Sequence, residues 1–142
     1  MKALVCTATG SLDALELRDV PAPTIGSGEV LVRVVACGIN YPDVLLALGK
    51  YQVRPEPPFS PGGEVSGIVE AVGAGVSSVK PGDRVLGMLP FGGLAEKVAL
   101  PEQAVLRVPE GADLVVASGV VRGRRAAGAR PRRARGRRRP RR

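Results

Sequence analysis

Apolar residues fall in short runs of Val, Leu and Ile, and Gly or Pro interrupts them every several positions from Pro21 to Pro109. That punctuation predicts a mainly β domain with many turns. Strands are predicted over residues 2–7, 14–20, 29–36, 64–72, 84–89, 94–100 and 104–108. In the sixth, Leu94, Glu96, Val98 and Leu100 alternate with Ala95, Lys97 and Ala99, which predicts one face more deeply buried than the other. One internal helix stands out, over residues 41–48. Pro42 suits a first-turn position, Asp43 complements the positive end of the helix dipole, Val44, Leu45 and Leu48 lie on neighbouring faces, and Gly49 ends it. A second helix is expected to start at Asp113. Residues 58–67 (PFSPGGEVSG) read as a loop feeding a strand, and residues 79–85 (VKPGDRV) as a turn in which Pro81 presets one dihedral and Gly82 supplies a positive φ.

Charge divides the chain. It has 142 residues, 21 Lys and Arg, 13 Asp and Glu, no His, and a net charge of +8. Twelve of the arginines occupy residues 122–142, so residues 1–121 carry 9 basic and 13 acidic groups, a net charge of −4. Residues 1–121 are long enough for one domain. Residues 122–142 contain only Arg, Gly, Ala and Pro, with no large apolar side chain and no counter-charge, and are expected to be a disordered tail. Two readings of this tail compete. Clustered arginines neutralise phosphates, which makes an arm for nucleic acid or another polyanion. Arg, Gly, Ala and Pro are also the residues with codons built wholly of G and C, and the abrupt change after Val121, in mid-element, is what an out-of-frame reading leaves. The second is the preferred expectation.

Several function classes drop out. Without His, and with only Cys6 and Cys37, a His-containing zinc site and a multi-disulfide framework are excluded, and a reducing compartment is expected. Four aromatics, Tyr41, Tyr51, Phe59 and Phe91, argue against base-stacking platforms. No apolar stretch reaches 18 residues and the N-terminus lacks a signal-peptide core, so the expectation is a cytoplasmic protein with no membrane partner. Gly26 and Gly28, and again Gly73 and Gly75, begin a phosphate-loop pattern without completing it. Gly75 leads into VSSVKPGDRV, where Pro81 and Gly82 stop any helix, so both pairs read as turns. No Walker loop occurs, and a Ser-His-Asp triad is impossible without His.

At residues 36–51, ACGINYPDVLLALGKY, the sequence becomes specific. Together with MKALV at the start, GEVLVRVVACGIN over residues 28–40, PGGEVSGIVEAVGAGVSSVKPGDRV over residues 61–85 and GGLAEKVALPEQAVLRVPEG over residues 92–111, it resembles the N-terminal domain of the medium-chain dehydrogenase/reductase superfamily. The branch resembled is that of the zinc-independent, zeta-crystallin-like quinone oxidoreductases, and the likeness covers residues 1 to about 120.

The resemblance implies a GroES-like, partly open β-barrel with one or two short helices. It implies that Asn40 stands where zinc-dependent relatives have a cysteine ligand, and Gly63 where they have a histidine, just before Glu64. An amide is a poor zinc ligand and glycine is none, so no zinc is expected. Cys37 is then a small buried residue at a strand end. In the quinone oxidoreductases the residues matching Asn40 and Tyr51 line the cleft beside the nicotinamide and substrate, so both are expected as catalytic and cofactor-binding residues. Hydride transfer from NADPH to a quinone or enone leaves charge on a carbonyl oxygen, which amide or phenol donors stabilise without metal. The structural alternative is that Asn40 satisfies a strand-to-helix junction and Tyr51 packs its ring in the barrel; Asp43 is expected to cap its helix. Family members, often homo-oligomers, continue into a doubly wound nucleotide-binding domain that this sequence lacks. The chain alone is therefore expected not to bind NADPH tightly and to be inactive. Two functions result: the N-terminal catalytic-domain part of an NADPH-dependent quinone or enone oxidoreductase, or a stand-alone barrel whose arginine arm binds a polyanion.

Overall fold

The computed structural model describes residues 1–119. The tail expected over residues 122–142 lies outside them. Seven strands and two short helices occur among the described residues: β1 (Lys2–Cys6), β2 (Leu15–Asp19), β3 (Glu29–Gly38), α1 (Tyr41–Ala47), β4 (Glu64–Val72), β5 (Arg84–Met88), β6 (Lys97–Pro101), β7 (Val105–Arg107) and α2 (Leu114–Ala117). All pairings are antiparallel. Strands β6-β3-β4-β5-β7 form one sheet and β1-β2 a hairpin. Bridges at Ala3–Ala95 and Cys6–Phe59 tie the hairpin to the rest, so the sheet curls into the expected partly open barrel.

The β-branched residues that favour strands also fill the interior. Val30, Val32, Val65, Val69, Val79, Val85, Val98, Leu100 and Val105 form the main core. Cys6, Leu46, Ala47 and Phe59 form a second cluster, where α1 packs against β1. The turn ahead of β5 has the expected form. Gly82 takes φ +91° and Asp83 N–H donates to the Lys80 carbonyl at 3.1 Å.

The strand expected over residues 94–100 is shorter, because its first half changes partner. Leu94 O accepts from Leu4 N–H and Glu96 N–H donates to Lys2 O, whereas the Glu96 carbonyl accepts from Val34. Residues 94–96 thus turn the barrel corner between β1 and β3, and regular pairing begins only at Lys97. In β3, Val34 faces Gly67 and Ala36 faces Ser66, leaving Val35 as an inserted residue. Such a bulge bends its strand, here just before Cys37 and Gly38.

Candidate functional site

Strand β3 ends at Gly38, and extended backbone at Asn40 (φ −126°, ψ 161°) leads into α1. Asp43, in the first turn, is buried. One of its carboxylate oxygens accepts the Asn40 backbone N–H at 2.7 Å and the other accepts Gly62 N–H at 3.1 Å. Asp43 is therefore the helix anchor expected from sequence, and it also fastens α1 to the glycine loop ahead of β4. The Asn40 side chain reaches inward: Nδ2 donates to the Gly38 carbonyl at 3.4 Å and to Glu64 Oε2 at 3.5 Å.

Glu64, the first residue of β4, is 1% exposed and pairs across the sheet with Gly38 and Met88. Sequence reasoning left its role open, because the contact to Asn40 spans 24 residues. Cys37, expected to be buried at a strand end, is half-buried. Burial pushes its thiol from 9.0 to about 11, and the nearby Asp43 charge adds to the rise. It stays a neutral thiol at ordinary pH and is no nucleophile.

The second helix bounds this junction, a feature that no local pattern announces. Asp113 caps α2 by accepting Val115 N–H at 2.7 Å, as its position suggested. Ser66 Oγ donates to the Leu114 carbonyl at 2.5 Å, in the interior. A Cβ at Gly38 would lie 2.6 Å from the Ser118 carbonyl oxygen, so only glycine lets α2 sit this close to the end of β3.

Tyr51 lies past the other end of α1. Its ring packs on the Cys6, Leu46, Ala47 and Phe59 cluster, and its backbone carbonyl accepts from Arg54 Nε at 3.4 Å. Asn40 and Tyr51 thus flank the seven-residue helix α1, whose axis is roughly 10 Å long. Among the described residues no hydrogen bond or ring contact joins the two. The strand-to-helix junction accounts for Asn40's present contacts, and ring packing for those of Tyr51. A groove of about 340 Å³ lined by Leu17, Val35, Cys37 and Leu94 reaches the junction's edge without Asn40 or Tyr51 in its wall.

Among the described residues no group of three or more His, Cys, Asp and Glu could hold a metal ion. Nor, among these residues, does a glycine-rich loop lead from a strand into a helix. Gly28 N–H donates to Ala74 O and Gly73 N–H to Glu29 O, both at 2.8 Å, so the two glycine pairs are facing turns that pack on each other. No helix among the described residues is long and apolar enough to cross a membrane.

Residues 26–110 match the family model of the alcohol dehydrogenase GroES-like domain. The chain is 42% identical over 113 residues to quinone oxidoreductase-like protein 2 of Rattus norvegicus, covering 80% of this chain and 32% of that protein. Among solved structures, a probable oxidoreductase from Mycobacterium abscessus superposes with a TM-score of 0.81 at 37% identity, over 85% of this chain and 39% of that one. The quinone oxidoreductase of Thermus thermophilus, solved also in complex with NADPH, does so with a TM-score of 0.71 at 44% identity, over 83% and 36%. The chain spans about a third of the length of such relatives.

Proposed function

Because the chain belongs to the alcohol dehydrogenase GroES-like domain family, we propose that residues 1–119 are the substrate-facing domain of an NADPH-dependent oxidoreductase that reduces a quinone or enone by hydride transfer. The observation that carries this reading is the likeness to the Thermus quinone oxidoreductase, at 44% identity over 83% of this chain. NADPH, when bound, supplies the hydride; the residues that would cradle its pyrophosphate are not among those described, so the fit concerns only the reacting end. There, Tyr51 offers a phenol that donates a hydrogen bond or a proton to the acceptor's oxygen. Asn40 orients a ligand group at the mouth of α1. Zinc has no part in this reading, since an amide and a glycine stand at Asn40 and Gly63. Asp43 and Glu64 act behind Asn40, not on substrate.

The test is a graft. Residues 1–119 replace the matching segment of the Thermus quinone oxidoreductase, and NADPH-dependent quinone reduction is followed by absorbance. Retained turnover that falls in Asn40→Ala and Tyr51→Phe is the expected result. A folded graft that binds NADPH and reduces no quinone, or one indifferent to both substitutions, contradicts the reading.

A further inference from the structure

We infer that the free edge of β2 pairs with β2 of a second copy of this chain, antiparallel and centred on Leu17, so that Glu16 of each copy faces Arg18 of the other. The association is independent of the reaction proposed above.

Among the described residues β2 pairs only with β1, so one of its sides is open. Met1 and Val20 exchange both main-chain bonds at 2.9 Å. On its other side β1 uses the Lys2 carbonyl and the Leu4 and Cys6 N–H groups for Glu96, Leu94 and Phe59. Bonded pairs alternate along an antiparallel ladder, so Ala3–Arg18 and Val5–Glu16 are the bonded pairs of the hairpin. The main-chain groups of Leu15, Leu17 and Asp19 therefore point to the open side. Leu15 N–H is taken by the Leu12 carbonyl, whereas Leu17 and Asp19 keep their N–H groups for another strand.

Charged residues on an edge usually guard it against pairing. The order LELRD over residues 15–19 does the reverse in one register. Centred on Leu17, that residue meets its counterpart through both N–H and C=O, and Asp19 N–H meets the Leu15 carbonyl. Glu16 and Arg18 of the second copy then form a non-bonded pair, the closer kind, with Cα atoms about 4.5 Å apart. Centring on Glu16, Arg18 or Asp19 sets that charge against itself, and centring on Leu15 runs into the helical turn Leu12–Ala14. A two-fold axis makes both Glu16–Arg18 contacts identical. Within one copy Arg18 Nη2 lies 2.8 Å from Glu16 Oε2, with both side chains about half exposed, so pairing assembles four charges of alternating sign. Leu17, 70% exposed, lines the apolar groove with Leu4, Val35 and Leu94, and the second Leu17 covers it.

The test is sedimentation velocity of the full chain over a range of concentrations at one fixed salt. A dimer that grows with concentration is expected, and a weak one, because the edge is smaller than a standard interface. Hydrogen exchange at Leu17 and Asp19 should slow with concentration, while the Glu16 and Arg18 amides, bonded to β1, stay unchanged. Glu16→Arg or Arg18→Glu alone sets like charges opposite each other twice and is expected to weaken association about tenfold. Both replaced side chains are half-exposed, so the fold tolerates the exchange. An equal mixture of the two variants restores opposite charges and should regain the parent's affinity as a heterodimer. A monomer at every concentration overturns the pairing and leaves the edge to a strand from elsewhere. A dimer of unchanged affinity in both variants, or a mixture no tighter than either variant alone, overturns it as well.

Discussion

Replacing Asp43 by Ala removes a buried carboxylate that accepts two backbone N–H groups, from Asn40 at 2.7 Å and from Gly62 at 3.1 Å. Hydrogen bonds to a charged acceptor contribute about 1.5–3 kcal/mol each, and an orphaned buried donor costs a similar amount. The two together give roughly 3–6 kcal/mol, from which the relief of no longer desolvating a carboxylate must be subtracted. The expected net loss is about 3 kcal/mol. Asp43→Asn keeps one acceptor but turns an NH2 toward the second N–H, and should lose about 2 kcal/mol. Urea unfolding of the full chain followed by circular dichroism reads both. With a slope of about 1.5 kcal/mol/M, the midpoint should fall by about 2 M for Ala and somewhat less for Asn, at unchanged slope. The anchoring role is refuted if Asp43→Ala lies within about 0.5 kcal/mol of the parent, since an exposed, unengaged carboxylate behaves that way.

Other perturbations separate the parts of the account. Gly38→Ala drives a Cβ to 2.6 Å from the Ser118 carbonyl, so it should cost about 1–3 kcal/mol and raise hydrogen exchange in α2 before the sheet; unchanged exchange there contradicts the packing of α2 on β3. Gly73→Ala drives a Cβ into the Gly26 carbonyl and should exceed Gly82→Ala, which meets nothing and carries only the strain of φ +91°, about 1 kcal/mol; thermal melts of the two rank them. Cys37 has its folded value raised above 9.0 to about 11, so the neutral thiol is favoured by folding: its contribution is complete below pH 9 and is lost as pH rises from 9 to 11, by less than the full shift implies because solvent reaches the half-buried thiol. Cys37→Ala should flatten the stability profile in that window, and an unaltered profile rules the thiol out as its source. Deleting residues 122–142, with 12 arginines, should abolish heparin binding that weakens steeply with salt; retained binding puts the cationic surface elsewhere.

What the sequence disclosed was local. β4 begins and ends where its apolar pattern does, Glu64–Val72, because glycine loops bound it on both sides. α1 starts at Tyr41 as Pro42 and Asp43 indicate, and α2 follows its cap at Asp113. Residues 94–100 misled because alternation records which face is buried and not which strand is the partner: the segment keeps its period while passing from β1 to β3. The site was half legible. Asn40 and Tyr51 came from the resemblance, but the Glu64–Asn40 contact, the Asp43–Gly62 bond and the approach of Ser118 to Gly38 join residues 19 to 80 positions apart. No spacing rule reaches that far. Glycine at Gly73 reads as a turn residue in sequence, whereas in the fold Gly38 and Gly73 are both close approaches of backbone to backbone.

The proposed role of Tyr51, in a reducing site presented by residues 1–119, is to donate to the acceptor. It is tested most directly by the kinetics of the graft on the Thermus quinone oxidoreductase, comparing Tyr51 with Tyr51→Phe at saturating NADPH. A lost proton or hydrogen-bond donor should lower kcat by about 10²-fold with KM little changed and the fold intact. Equal kcat in a folded, NADPH-binding pair contradicts the claim.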